Sequence, residues 1–209
     1  MIAVIDYSVG NPGSILNMLA KIGAEAVLSA EEKVLARAEK LILPGVGSFD
    51  AGMDNLQKTG LIAFLEETVV RNSKPLLGIC LGMQLLGIGS EEGQKPGLGW
   101  LDFENIRFRI TAGMHDDNGR QLKIPHMGWN SVNIMQDSLL LANMQNSWFY
   151  FVHSYHAVSK EASTMLAETQ YGYSFASIVA RKNIYGVQFH PEKSHKYGLA
   201  LLKNFVENC

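Results

Sequence analysis

Pro75-Leu76-Leu77-Gly78-Ile79-Cys80-Leu81-Gly82-Met83-Gln84 is the stretch on which the fold turns. Pro75 to Ile79 is short and apolar, as in a strand buried on both faces, and it runs straight into a cysteine. Around Cys80 the form is G-x-C-x-G, the cysteine counterpart of the G-x-S-x-G elbow between a strand and a helix. A nucleophile on so sharp a turn is crowded, and glycine two residues to either side removes the side chains that would clash. The turn also sets the sulfur at the amino end of the next helix, where partial positive charge favours the reactive thiolate. A cysteine in an apolar strand is ordinarily a small buried hydrophobe. The paired glycines and the strand-then-helix setting point instead to a nucleophile.

Upstream, strand-like and helix-like segments alternate. Ile2 to Asp6, Ala26 to Leu28 and Leu41 to Leu43 read as strands. Ile15, Met18, Leu19 and Ile22 recur at helical spacing, as do Leu56, Ile62, Leu65 and Val69. This rhythm predicts an α/β fold: a mostly parallel sheet covered by helices on both faces, in three layers. Beyond about residue 100 the pattern changes. Ile106, Phe108 and Ile110 alternate with Arg107 and Arg109, and Asn118-Gly119 supplies hairpin chemistry. Val132 to Ile134, Trp148 to His153, Met165 to Glu168, Phe175 to Ala180 and Ile184 to Phe189 add strands, and Leu199 to Val206 forms a closing helix. The second half is therefore an antiparallel extension of one domain spanning 1–209.

Composition narrows the function. Charged residues make up 18% and the net charge is -2, so no basic field invites nucleic acid. No apolar run reaches the ~20 residues that span a bilayer, and MIAVIDY lacks a charged leader, so it reads as a strand and not a signal peptide. The two cysteines, Cys80 and Cys209, do not make a disulfide framework, which favours a reduced, cytoplasmic setting.

A cysteine nucleophile needs an imidazole to carry the proton and a third group to fix the ring. Of six histidines, only His190 sits in a fitting frame, Val187-Gln188-Phe189-His190-Pro191-Glu192. On an extended backbone, residues two apart project to one side, so Glu192 can hold His190 while the other ring nitrogen faces Cys80. Pro191 disfavours helix at His190. His153 with His156, and His115 with Asp116 and Asp117, lack zinc-ligand spacing. No metal is expected, and Asp116 to Gly119 reads as a solvated turn.

Together, Gly78 to Gln84 and Phe189 to Glu192 resemble the class I, or triad, glutamine amidotransferases, which use no cofactor and have a flavodoxin-like sheet. Three further segments are similar to the glutaminase subunits of imidazole glycerol phosphate synthase: Leu43 to Phe49 (LPGVGSF), Ile124 to Asn130 (IPHMGWN) and Phe151 to His156 (FVHSYH). The resemblance covers essentially the whole chain. It implies that Cys80 forms a γ-glutamyl thioester with His190 as base then acid and Glu192 orienting it. It implies oxyanion donors at Leu81 and near Val46 and Gly47. Glutamine would be held by Gly45, by Gln84 and Glu92 at its α-amino end, and by His153, Ser154 and Tyr155 at its carboxylate. It further implies docking, through Asn11, His126, Trp129 and Lys193, on a (β/α)8 barrel synthase that receives the ammonia for histidine biosynthesis. The oxyanion strand is expected to form only with that partner bound. Pro12, where the family usually has Leu or Ile, and His156, where tyrosine is commoner, leave room for a paralogue that feeds surface-polysaccharide modification.

Overall fold

The computed structural model describes residues 1–116, 119–159 and 161–209. The predicted turn residue Asn118, and Asp117 of the solvated run, lie outside the described residues. The strands are β1 (Ile2–Ile5), β2 (Ala26–Ser29), β3 (Lys40–Leu43), β4 (Leu76–Ile79), β5 (Gly89–Ser90), β6 (Phe103–Arg107), β7 (His126–Ser131), β8 (Asn133–Ile134), β9 (Trp148–His153), β10 (Tyr155–Ser159), β11 (Met165–Tyr171), β12 (Tyr173–Arg181) and β13 (Ile184–Val187). The helices are α1 (Pro12–Lys21), α2 (Glu32–Arg37), α3 (Phe49–Lys58), α4 (Ile62–Leu65), α5 (Leu81–Leu85) and α6 (His195–Asn208).

The main sheet runs β2-β1-β3-β4-β13-β12-β10-β6-β5. β2, β1, β3, β4 and β13 are mutually parallel, whereas β12, β10 and β6 pair antiparallel. Alternation along β1 explains the layers: Ile2 and Val4 face a core formed with α1 and α6, while Ala3 and Ile5 face one formed with α2, α3, α4 and α5. Each large apolar side chain taken from water in these layers contributes on the order of 1.5–3 kcal/mol. β7 and β9 form a separate antiparallel ribbon.

The sequence expectation of an α/β sheet with an antiparallel second half holds, with local corrections. The helix read through Leu56 to Val69 is broken at Gly60, whose φ of 75° suits glycine; α4 then widens into a π-type helix over Glu66–Arg71. Phe108 lies beyond β6, ringed by His126, His153, His156 and Phe175. β5, β7, β10 and α2 have no counterpart among the sequence expectations. Pro12 occupies the first turn of α1, where its missing N–H would have had no partner in any case.

The parallel strands end on one edge, which collects Tyr7 after β1, Pro44 after β3, Cys80 after β4 and Gln188 after β13. In sheets of this kind the carboxyl ends of the strands are where ligands bind.

Candidate active site

Cys80 follows β4 with φ 52° and ψ -109°, a conformation side chains rarely adopt and one costing on the order of 1–3 kcal/mol. The surroundings hold it there. Cys80 N–H donates to the Val187 carbonyl at 2.8 Å, extending the β4–β13 ladder past its end. Three glycines interlock around the elbow. A Cβ on Gly82 would collide with the Leu43 carbonyl oxygen, one on Gly78 would meet the Gly82 carbonyl oxygen at 2.7 Å, and one on Gly45 would meet Gly82 N at 2.6 Å. The close approach demanded of Gly78 and Gly82 by the sequence is therefore real, and Gly45 shares it. α5 spans only five residues, so its dipole is small.

His190 is brought in by β13 and pinned by the ribbon: its N–H donates to the Tyr150 carbonyl at 2.9 Å, and the Ser194 hydroxyl donates to the His190 carbonyl at 2.6 Å. Its Nδ1 lies 2.7 Å from Glu192 Oε1, with both side chains buried. Burial alone would lower His190, but the Cys80 sulfur and the Glu192 carboxylate outweigh it and raise its pKa to about 10. His190 Nε2 and Glu192 Oε2 have no hydrogen-bond partner among the described residues, and Cys80 is still near enough to raise His190. The expected trio of Cys80, His190 and Glu192 is brought together.

The remaining expected residues divide. Gly47, at φ 123°, is in a conformation open to glycine, and Val46 beside it is exposed. Glu92 Oε2 accepts from Phe49 N–H at 2.8 Å, so it caps α3 just beyond the Gly45-Val46-Gly47 segment. Gln84 is buried, and its Nε2 donates to the Tyr155 carbonyl and to Gln188 Oε1, both at 3.2 Å. Phe108 N–H donates to the Ser154 carbonyl at 3.0 Å, and His153 Nδ1 lies 2.8 Å from the Tyr155 carbonyl. Asn11 and Lys193 are exposed, with the Lys193 ammonium 5.7 Å from the Tyr150 ring centre. Trp129 is exposed and stacks on His195.

His126 departs from the expectation of a contact surface. The two-residue period of β7 turns it inward, where it stacks between Tyr171 and Phe151 with its Nδ1 3.1 Å from His153 Nε2. Burial lowers His126 to about 3, and lowers His153 and His156 as well, so all three are neutral at pH 7. The outward face of the same ribbon carries Met127, Trp129 and Trp148, all exposed.

Two groups were missed. Tyr7 donates its hydroxyl to the Pro44 carbonyl, and its phenol is raised by burial first and by the neighbouring Cys80 second. Gln188, fully buried, places its Nε2 3.8 Å from Cys80 Sγ. A lone amide between Val187 and Phe189, in a strand otherwise apolar, was the available signal.

A sulfur on a strained elbow, a charged imidazole beside it and a carboxylate behind that imidazole form an arrangement chemically able to carry out thiol-dependent acyl transfer. The model of the family described as glutamine amidotransferase class-I matches residues 3–209, and the chain belongs to that family. Within it, the chain is similar to the imidazole glycerol phosphate synthase subunit HisH 2 of Pseudomonas aeruginosa, 51% identical over 99% of each chain, and to that of Methanococcus maripaludis, 50% identical over 100% of each. The subunit HisH of Leptospira borgpetersenii is 42% identical over 99% of each. A solved glutamine amidotransferase shares the fold, with a TM-score of 0.74 at 17% identity over 99% of this chain and 98% of that one.

Proposed function

We propose that this chain is one domain, 1–209, acting as the glutaminase subunit of an imidazole glycerol phosphate synthase. The observation that carries the reading is the buried Cys80–His190–Glu192 arrangement with its imidazole held charged, within a sequence similar throughout to HisH-type subunits.

In this reading the Cys80 thiolate adds to the side-chain amide carbon of glutamine. The oxygen takes the negative charge, facing the Leu81 amide and the amides of Val46 and Gly47. His190 gives its proton to the departing nitrogen, ammonia leaves, and a γ-glutamyl thioester remains. The neutral imidazole then takes a proton from water as it attacks, and the thiolate is expelled with glutamate. Glu192 keeps the ring aligned throughout and stabilises it whenever it carries the proton. Gln84 Oε1 and Glu92 receive the α-ammonium, Gly45 the side-chain amide, and the His153-Ser154-Tyr155 backbone the carboxylate. No metal or cofactor enters this scheme.

The exposed Met127, Trp129 and Trp148, with Asn11 and Lys193 nearby in function, would dock on a (β/α)8 barrel synthase in the cytoplasm. Aromatic side chains of this kind dominate binding energies at interfaces. Among the described residues no helix is long and apolar enough to cross a membrane.

A second reading has its own observation. The two relatives at 51% and 50% identity carry the number 2 in their names, whereas the Leptospira subunit at 42% carries none. A paralogue supplying ammonia to surface-polysaccharide sugar modification fits that pattern. Glutamine hydrolysis measured alone, with a histidine-pathway synthase and with that synthase plus its nucleotide ligand separates the two. Stimulation and co-purification support the leading reading; neither occurring overturns it in favour of the second.

A further inference from the structure

The direction of the hydrogen bonds behind Cys80 is forced from one end. The Tyr155 carbonyl can only accept, so the Gln84 amide must turn its nitrogen toward it. The same Gln84 Nε2 reaches Gln188 Oε1 at 3.2 Å, which leaves the Gln188 nitrogen pointing the other way, to Cys80 Sγ at 3.8 Å. Gln188 has no exposure to solvent and Gln84 almost none, so water does not compete for these groups. β13 supplies both neighbours of the sulfur: the backbone bond from Cys80 N–H to Val187, and the Gln188 side chain one residue later.

We propose that Gln188 is a fourth functional side chain of the glutaminase centre, a neutral donor that holds the Cys80 sulfur in place and favours its thiolate form. This rests on the reading of Cys80 as the nucleophile. An amide N–H cannot take the proton that His190 handles, and it bonds more strongly to a charged acceptor than to a neutral one. It therefore favours the thiolate twice: as the attacking species before the thioester forms, and as the leaving group when the thioester is hydrolysed. Gln84 acts through Gln188, fixing which end of that amide meets the sulfur, and is a positioning residue.

The test is site-resolved alkylation of Cys80 by iodoacetamide at pH 7 in the full chain, with Cys209 as the internal reference. Q188L removes the donor, and Q188E replaces it with a group of the same shape that repels the thiolate. Alkylation of Cys80 should slow about tenfold in Q188L and further in Q188E, while Cys209 is unaffected. The His190 titration should also move down from about 10, because less thiolate faces it. Unchanged alkylation and an unchanged His190 titration, with only a lower Tm, would overturn the proposal and leave Gln188 a polar brace of the core. If both variants fail to fold, the unsubstituted chain still answers: the Gln188 side-chain amide resonances should titrate in step with His190, and resonances flat through that titration overturn it. Failure of the underlying reading looks different, since Cys80 would then be unreactive in the unsubstituted chain and dispensable for glutamine hydrolysis.

Discussion

His190 and His153 are both buried, close enough for each other's charge to matter, and held in opposite states. His190 has a carboxylate 2.7 Å away and a sulfur beyond, and stays protonated to about 10. His153 has the neutral His126 and a backbone carbonyl, and burial drives it well below its ordinary value. Burial sets the scale of the shift, and the partner sets its sign. In the proposed mechanism the first region performs the chemistry, whereas the second is a neutral set of stacked rings behind it.

Removing the charged ring should have the largest effect. His190→Ala is expected to lower glutamine hydrolysis on the order of 10⁴-fold or more in a steady-state assay, since triad members act as a unit. Glu192→Gln leaves the ring but takes away its counter-charge; a loss of about 10²- to 10⁴-fold is expected. His190, followed by NMR, should then titrate below about 10.

The same contrast gives stability opposite slopes in pH. His190 is raised above the usual 6.5, so its contribution is complete below 6.5 and is lost as pH climbs toward about 10. His126, His153 and His156 are lowered, so the unfolded chain binds protons that the folded one refuses, and stability falls as pH drops below 6.5. Urea unfolding should show a maximum near neutrality, with an acid limb approaching about 1.4 kcal/mol per pH unit for each such histidine. His126→Phe, which keeps the stack on Tyr171 and Phe151, should flatten that limb. The smallest effect belongs to a pair of equal length outside. Arg109 and Glu91 also meet at 2.7 Å, but with side chains 61% and 40% exposed, so Arg109→Ala should change unfolding by less than about 1 kcal/mol.

The fold and site are legible in the sequence where local rules dominate. The elbow follows from Gly78, Cys80 and Gly82, and the His190–Glu192 pair from a two-residue spacing next to proline. The parallel half follows from apolar runs separated by helical periods. What the chain could not disclose depends on tertiary placement. His126 reads as a surface residue in the sequence because the ribbon of β7 and β9, which turns it inward, has no local signature in a segment that includes glycine and asparagine. Glu92 and Asp50 clasp the α3 terminus and the 92–95 loop across some 44 positions of chain, a pairing no local pattern encodes. Tyr7 and Gln188 meet Cys80 because three separate parallel strands end on one edge of the sheet.

Glutamine hydrolysis by Cys80→Ala, assayed as ammonia released with the barrel synthase and its nucleotide ligand present, tests the central claim most directly. The alanine variant should fold, since it removes one sulfur atom, and should release no ammonia above the uncatalysed background. Undiminished hydrolysis by that variant would contradict the account.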